Sequence, residues 1–465
     1  MPTRLEGLQP PDRSILSREK RKPLFELELS LITPMFGGGF SPREIDPERP
    51  VNAKEVRGHL RFWWRACHAH RYPDTEAMFR DEALLFGQSA GVDASNNVFG
   101  PGLVDVVVHV LTPQNQIQPA VCDTRDPQPG QPADRRPQLR QPFGAGDAYA
   151  LFGVVGTLED NRRSWRVAPA TMVTALKFRV LIREVGGLSH LSPEQLAEIR
   201  TALGAWVHLG GIGSRTRRGL GSLSVERWCE KSDPAVQAPS LEGVLEAVRV
   251  DAVIGPPWGV PALRKGFLLR RTAHNAGNGS EHLQAWRQAL KVLQSFRQID
   301  HGRVDYNSQS KWPETDAIRR AVTGGPWQHT ARPAMPDYYP RADLGLPIVM
   351  HFIVKNGYAR PEPSDRRIEG EEGRSRMASP IITKALPVDA TQSVALIVVL
   401  DAPHVWDSQA PAVKLEPGGT VVRKNPQLNG ATFSGPLTVG ATTYTTAREA
   451  FRAYARSQGF TEVII

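Results

Sequence analysis

Leu24-Phe25-Glu26-Leu27-Glu28-Leu29-Ser30-Leu31-Ile32 alternates apolar and polar side chains over most of its length. A strand turns successive side chains to opposite faces, so this stretch predicts a strand with one face buried and Glu26, Glu28 and Ser30 on the other. The period then changes. A loop, Thr33–Pro50, holds Gly37, Gly38 and Gly39, and beyond it Val56, Leu60, Trp63 and Cys67 recur at helical spacing. That spacing predicts a helix over about Ala53–Arg71. A second apolar-patterned helix covers about Glu76–Phe86, and Val104–Leu111 (VDVVVHVL) reads as a buried strand. Strand, helices and strand in this order set the fold class as α+β.

Further along, Ala170–Arg183 predicts a strand, Pro193–Val207 a helix and Leu220–Trp228 a closing strand. The second half repeats the scheme. Lys265–Arg271 is a strand, and Glu281–Phe296 is a helix with Leu283, Trp286, Leu290 and Leu293 on one face. Strands follow at Leu346–Val354, Ile381–Leu386 and Val394–Leu400, then a helix at Thr446–Ser457 and a strand at Thr461–Ile465. Both halves fit a β-α-β-β-α-β order. The expected organisation is two tandem ferredoxin-like (RRM-like) domains, 22–230 and 260–465, joined by a linker region, 231–259, in which Leu241–Val250 can form a short helix. Two insertions interrupt them, at 112–142 and 406–441. Thr112–Pro142 is Pro- and Gln-rich with little apolar content, which predicts a flexible loop outside the core, removable over Gln114–Pro137 without unfolding the first domain.

The length of 465 residues accommodates two domains, and 40% hydrophobic residues suffice for packed cores. A formal charge of +9 favours polyanionic partners. Cys67, Cys122 and Cys229 lie far apart with no C-x-x-C or Cys/His quartet, which argues against structural zinc and suits a reducing compartment. The N-terminal stretch lacks the apolar core of a signal peptide, and no stretch approaches the roughly 20 apolar residues of a membrane span. A cytoplasmic protein without cofactor is the expectation. Walker, G-x-S-x-G, H-E-x-x-H and paired-carboxylate signatures are missing, which leaves a ribonuclease with scattered acid–base residues as an enzymatic alternative.

The basic residues are grouped. Arg57, Arg61 and Arg65 stack at i, i+4 and i+8 on the first helix, where they repel one another unless a polyanion or nearby acids such as Asp81 or Glu82 neutralise them. Trp63 and Trp64 read as core. Gly37-Gly38-Gly39 allows close backbone approach to a ligand. Gly210-Gly211-Ile212-Gly213-Ser214-Arg215-Thr216-Arg217-Arg218-Gly219-Leu220-Gly221 lies between a helix and a strand and fails G-x-G-x-x-G spacing, which argues against a dinucleotide site. Its glycines and arginines suit a phosphate backbone, with Arg215, Arg217 and Arg218 expected on a solvated loop. Arg374 and Arg376, with Lys265, Arg270 and Arg271, are further candidate contacts.

Two of these segments carry a family resemblance. The run LITPMFGGG…VRGHLRFWWRA resembles the opening of the first subunit of the Cmr complex, the type III-B CRISPR effector. GGIGSRTRRGLGSL resembles the glycine-rich loop shared by RAMP-superfamily proteins, and RMASPIITK is more loosely similar to the family's corresponding strand entry. The resemblance is specific over about Leu24–Cys67 and Gly210–Leu223, and it does not cover the two insertions. It implies tandem ferredoxin-like domains and no intrinsic nuclease. It also implies a position at the filament end near the 3′ end of the CRISPR RNA, beside the backbone and sixth Cmr subunits. CRISPR RNA and target RNA are the implied ligands, through the Gly37–Gly39 loop, Arg57, Arg61 and the Gly210–Gly221 loop. A CRISPR-RNA-processing endoribonuclease of the same superfamily and an assembly-only scaffold are the alternatives.

Overall fold

The computed structural model describes residues 22–37, 39, 41, 43–89, 91–92, 98–185, 191–249, 254, 259–271, 281–298, 312–323, 339–352, 363–370, 376–389, 392–404, 413–417, 420–422 and 437–463. In the first half the main elements are β1 (Phe25–Leu31), α1 (Ala53–His68), α2 (Thr75–Phe86), β2 (Val104–Val110), β3 (Lys177–Glu184), α3 (Pro193–Leu209) and β4 (Leu223–Glu230). A linking helix, α4 (Leu241–Arg249), follows. The second half is built on β5 (Ala262–Arg271), α5 (Glu281–Arg297), β6 (Ile381–Pro387), β7 (Ser393–Asp401), α6 (Ala447–Ser457) and β8 (Thr461–Val463).

The alternation in β1 has the expected effect: Phe25, Leu27 and Leu29 are buried, while Glu26 and Glu28 stay at the surface and pair with Arg179 and Arg227. β1 runs antiparallel to β3 on one side, Leu27 opposite Val180, and to β4 on the other, Leu27 opposite Trp228. β2 adds antiparallel to the far edge of β3, giving the order β4-β1-β3-β2. The second half has β6-β7-β5-β8, also antiparallel. In each sheet the first strand of the half lies between its third and fourth, and the second lies outside the third. The fold is therefore a mixed α+β one with the same strand order in both halves.

Local signals start the helices. The Asn52 side chain accepts the Glu55 N–H at 3.0 Å to cap α1, and Asp74 does the same for Ala77 at 2.8 Å on α2. Ser192 and Gln195 form a capping box ahead of α3, with Pro193 at its first position. α1 and α3 pack together over the first sheet with Trp63, Trp64 and Trp206 fully buried, so both tryptophans of α1 are core. α1 also packs on β5, and Leu263, Leu268, Ile382 and Leu396 of the second half share one core with the first. α4 buries Leu241, Val244, Leu245 and Val248 in that core, so the middle of the linker region is a packed helix.

Several expectations need correction. The strand expected over Ala170–Arg183 divides: Thr171–Val173 leaves the main sheet to pair with Met35–Phe36 and Ala120–Val121, and β3 starts at Lys177. The segment Thr112–Pro142 is no loose loop. Ile117 and Cys122 are buried, and Arg125 (4% exposed) sits on Asp123 (0%) at 2.6 Å. Arg125 also donates to the carbonyls of Gly156, Asp134 and Arg135. A polar segment can pack when its charges satisfy one another and its backbone, which composition does not reveal. Within 406–441, Val413–Glu416 and Thr420–Val422 join Arg366–Gly370 and Ile348–Met350 in a further antiparallel sheet. The ends expected at Val354 and Ile465 lie outside the described residues. No helix among the described residues is long and apolar enough to cross a membrane.

Candidate nucleic-acid interface

The two glycine motifs meet at the N-terminus of α1. Ser214 N–H donates to the Phe36 carbonyl at 2.7 Å, Gly221 N–H to that of Pro34 at 2.9 Å, and the Thr33 hydroxyl to that of Gly219 at 2.7 Å. Gly213 N–H donates at 2.9 Å to the Glu55 carboxylate, whose pKa is raised because burial outweighs the two backbone donors. Several N–H groups expected to face phosphate are thus already engaged. The glycines serve close packing instead. A Cβ on Gly210 would stand 2.4 Å from the Trp63 indole nitrogen, on Gly211 2.7 Å from Gly221 O, and on Gly213 2.4 Å from Phe36 O. On Gly219 it would stand 2.4 Å from Thr383 O, in the second half. Among the first three glycines, Gly37 and Gly39 are half-buried and Gly38 lies outside the described residues.

The arginine stripe of α1 splits. Arg61 and Arg65 both reach one oxygen of Glu82 at 2.5 Å, and Glu82 is 1% exposed. Their charge is held by an acid two turns into α2, the option that needs no polyanion. Arg57, exposed, is the member of the stripe left facing solvent.

The expectation that Arg215, Arg217 and Arg218 stand on a solvated loop is also corrected: all three are half-buried. Arg215 takes a left-handed conformation (φ 62°) that opens a single 3₁₀ turn, Thr216–Arg218, closed by Gly219 at φ 76°. Arg217 donates to the Ser379 carbonyl of the second half and lies 5.2 Å over the Phe62 ring. Arg218 lies 4.4 Å over the Tyr149 ring, and its carbonyl accepts from the Trp286 indole at 2.6 Å. Burial pushes the guanidinium pKa of Arg215 and Arg217 down to about 10. The loop is a joint between halves, and Arg217 ties the Arg376–Pro380 segment to it.

Arg376 is exposed at that joint, whereas Arg374 lies outside the described residues. Lys265 is exposed, and Arg270 makes a loose pair with Glu242 at 3.5 Å. Lys384, which sequence alone does not single out, is fully buried on β6 and donates at 2.8 Å to Gly210 O beyond the end of α3. Burial drives its pKa down to about 7. Nothing in the local pattern marks it, since its partners lie more than 170 positions away.

Residues 28–224 match the RAMP superfamily model. The matched segment runs from within β1 to the start of β4 and carries both motifs and Arg57. No curated protein matches the chain in sequence. Among solved structures, the crystal structure of Cmr1 from Pyrococcus furiosus in its apo form is similar at 16% identity and a TM-score of 0.44, covering 82% of this chain and 88% of that one. A cryo-EM structure of the type III-B Cmr-beta bound to cognate target RNA is similar at 13% identity and a TM-score of 0.44, covering 82% and 94%. A second such structure, with AMPPnP and single-stranded DNA present, gives 14%, 0.42, 82% and 95%.

Proposed function

We propose that this chain is a non-catalytic, RNA-binding RAMP subunit of a type III-B CRISPR ribonucleoprotein of the Cmr kind, built as two ferredoxin-like units in tandem. The observation that carries the reading is the RAMP match over 28–224, which spans the two motifs that meet at Phe36 and Ser214. The shared strand order of the two sheets is that of ferredoxin-like units and supports the tandem arrangement. The formal charge of +9 supports a polyanionic ligand. CRISPR RNA and target RNA are the ligands this implies, with the backbone and sixth Cmr subunits as neighbours at the filament end.

The RNA contacts we assign are the side chains left exposed: Arg57 on α1 and Arg376 beside the joint, with half-buried Gly37 allowing close approach, whereas the Cβ position of Gly39 is filled by the Glu44 carbonyl. Arg61, Arg65 and Arg217 already have acidic or carbonyl partners. Removing a charge-assisted hydrogen bond to phosphate costs about 1.5–3 kcal/mol, more than tenfold in affinity. Arg57→Ala and Arg376→Ala are therefore expected each to weaken binding of a single-stranded RNA to the full chain at least tenfold, with melting temperature unchanged. Titration of fluorescent RNA checks this. Wild-type affinity in both variants would remove these residues from the interface.

A further inference from the structure

Where the two halves meet, positive charge is gathered without matching acids among the described residues. Glu314, 0% exposed, has both oxygens taken by one residue: Arg341 N–H donates to one at 2.8 Å and its Nε to the other at 3.2 Å. Arg297, at the end of α5, donates to the Leu344 carbonyl at 3.4 Å. Arg218 brings a third guanidinium from the first half, 4.4 Å over the Tyr149 ring, and its buried Nη1 has no hydrogen-bond partner among the described residues. Burial lowers the pKa of Arg297, and Arg218 and Arg341 lower it further. Burial alone would raise the Tyr149 hydroxyl, but Arg297, Arg218 and Arg341 together hold it below its ordinary value. Tyr149 packs against the cluster that holds Phe296, Trp312 and Leu344, Arg341 lies 5.6 Å over the Trp312 ring, and Arg297 reaches the Leu344 carbonyl, so all four side chains share one region. Among the described residues, Asp147 pairs with Arg287 and Asp343 with Arg448, so three guanidiniums stand against one carboxylate and two positive charges are left uncompensated where water is scarce, an unfavourable state unless a counter-charge is present.

We propose that Arg218, Arg297 and Arg341, grouped around Tyr149 at the joint, hold one oxyanion of the phosphoryl class. A phosphate dianion matches the two surplus charges, and its tetrahedral oxygens accept from several guanidinium forks at once. The burial of Arg218 Nη1 and of the Tyr149 hydroxyl suits a free ion or the terminal phosphate of a nucleotide better than a running RNA backbone. The site is thus independent of the RNA contacts assigned above. Because Arg218 belongs to one half and Arg297 and Arg341 to the other, the anion would bridge them.

The test is equilibrium binding of radiolabelled inorganic phosphate to the full chain in chloride buffer, with adenosine monophosphate as competitor. One phosphate per chain is expected, weakened at least tenfold in Arg297→Gln and measurably in Tyr149→Phe, which keeps the ring. Competition by the nucleotide would assign the site to a terminal phosphate, and lack of competition to the free ion; either supports the proposal. Absence of phosphate binding in wild type, with ultraviolet absorbance showing ionised Tyr149 near neutral pH, would mean that the tyrosine itself is the counter-charge and overturn it. Equal phosphate binding in both variants would place the anion elsewhere and overturn it too. RNA affinity measured on the same preparations reports separately on the reading of function.

Discussion

Asp123→Ala is expected to destabilise the protein by about 3–5 kcal/mol, the usual cost of removing one partner from a buried ion pair. The loss is large because Arg125, 4% exposed, would keep its charge with only carbonyls and the Trp165 ring around it. Asp123 also accepts the backbone N–H groups of Arg125 and Gln138, so the fold of the whole segment from Cys122 to Leu139 depends on it. Since globular proteins hold only about 5–15 kcal/mol in total, a fall of many degrees in melting temperature and rapid proteolysis within 112–142 should follow. Asp123→Asn keeps the acceptor and should lose less. If Asp123→Ala melts like wild type, the segment is the dispensable insertion its composition suggests.

Gly221→Ala is expected to lose about 3–5 kcal/mol as well. Gly221 has φ +68°, which costs about 1–3 kcal/mol for a residue with a side chain. The added methyl would also stand 1.9 Å from the Ile212 carbonyl oxygen, so the backbone of the joint must move, at a further cost of about 1–3 kcal/mol. Gly58→Ala is the matched control. Gly58 lies exposed inside α1 with nothing within 4 Å of an added Cβ, and alanine there should stabilise by about 0.5–1 kcal/mol. Denaturant unfolding of the two variants gives shifts of opposite sign. Equal behaviour would show that the glycines of the loop are not there for packing.

These two sites mark where the sequence was legible and where it was not. The alternation of β1 acts through neighbours two positions away and the stripe Val56, Leu60, Trp63 and Cys67 through neighbours three or four away, and both predicted their elements to within a few residues. Caps at Asn52 and Ser192 are equally local. Long-range pairing is the part that composition conceals. Asp123 and Arg125 make a polar, proline-rich segment packable with the help of a carbonyl from Gly156, 31 positions on. The arginines of the glycine-rich loop read as solvated because no acid lies near them in sequence, yet their partners are the Ser379 carbonyl and the rings of Phe62 and Tyr149. Glu82 was visible as a candidate partner for the α1 stripe because it sits on the next helix. Arg57, Arg376 and Lys265 are the candidate residues left exposed with no partner of either kind within the described residues.

Single-stranded RNA, on this reading, is held through its phosphates. The most direct measurement is the affinity of the full chain for a short single-stranded RNA across a salt series. Each phosphate contact adds about 0.7 to the negative log–log slope for a single strand, so two contacts at Arg57 and Arg376 predict a slope of about −1.4 or steeper. A slope near zero between low and physiological salt, or no binding at low salt, would contradict it.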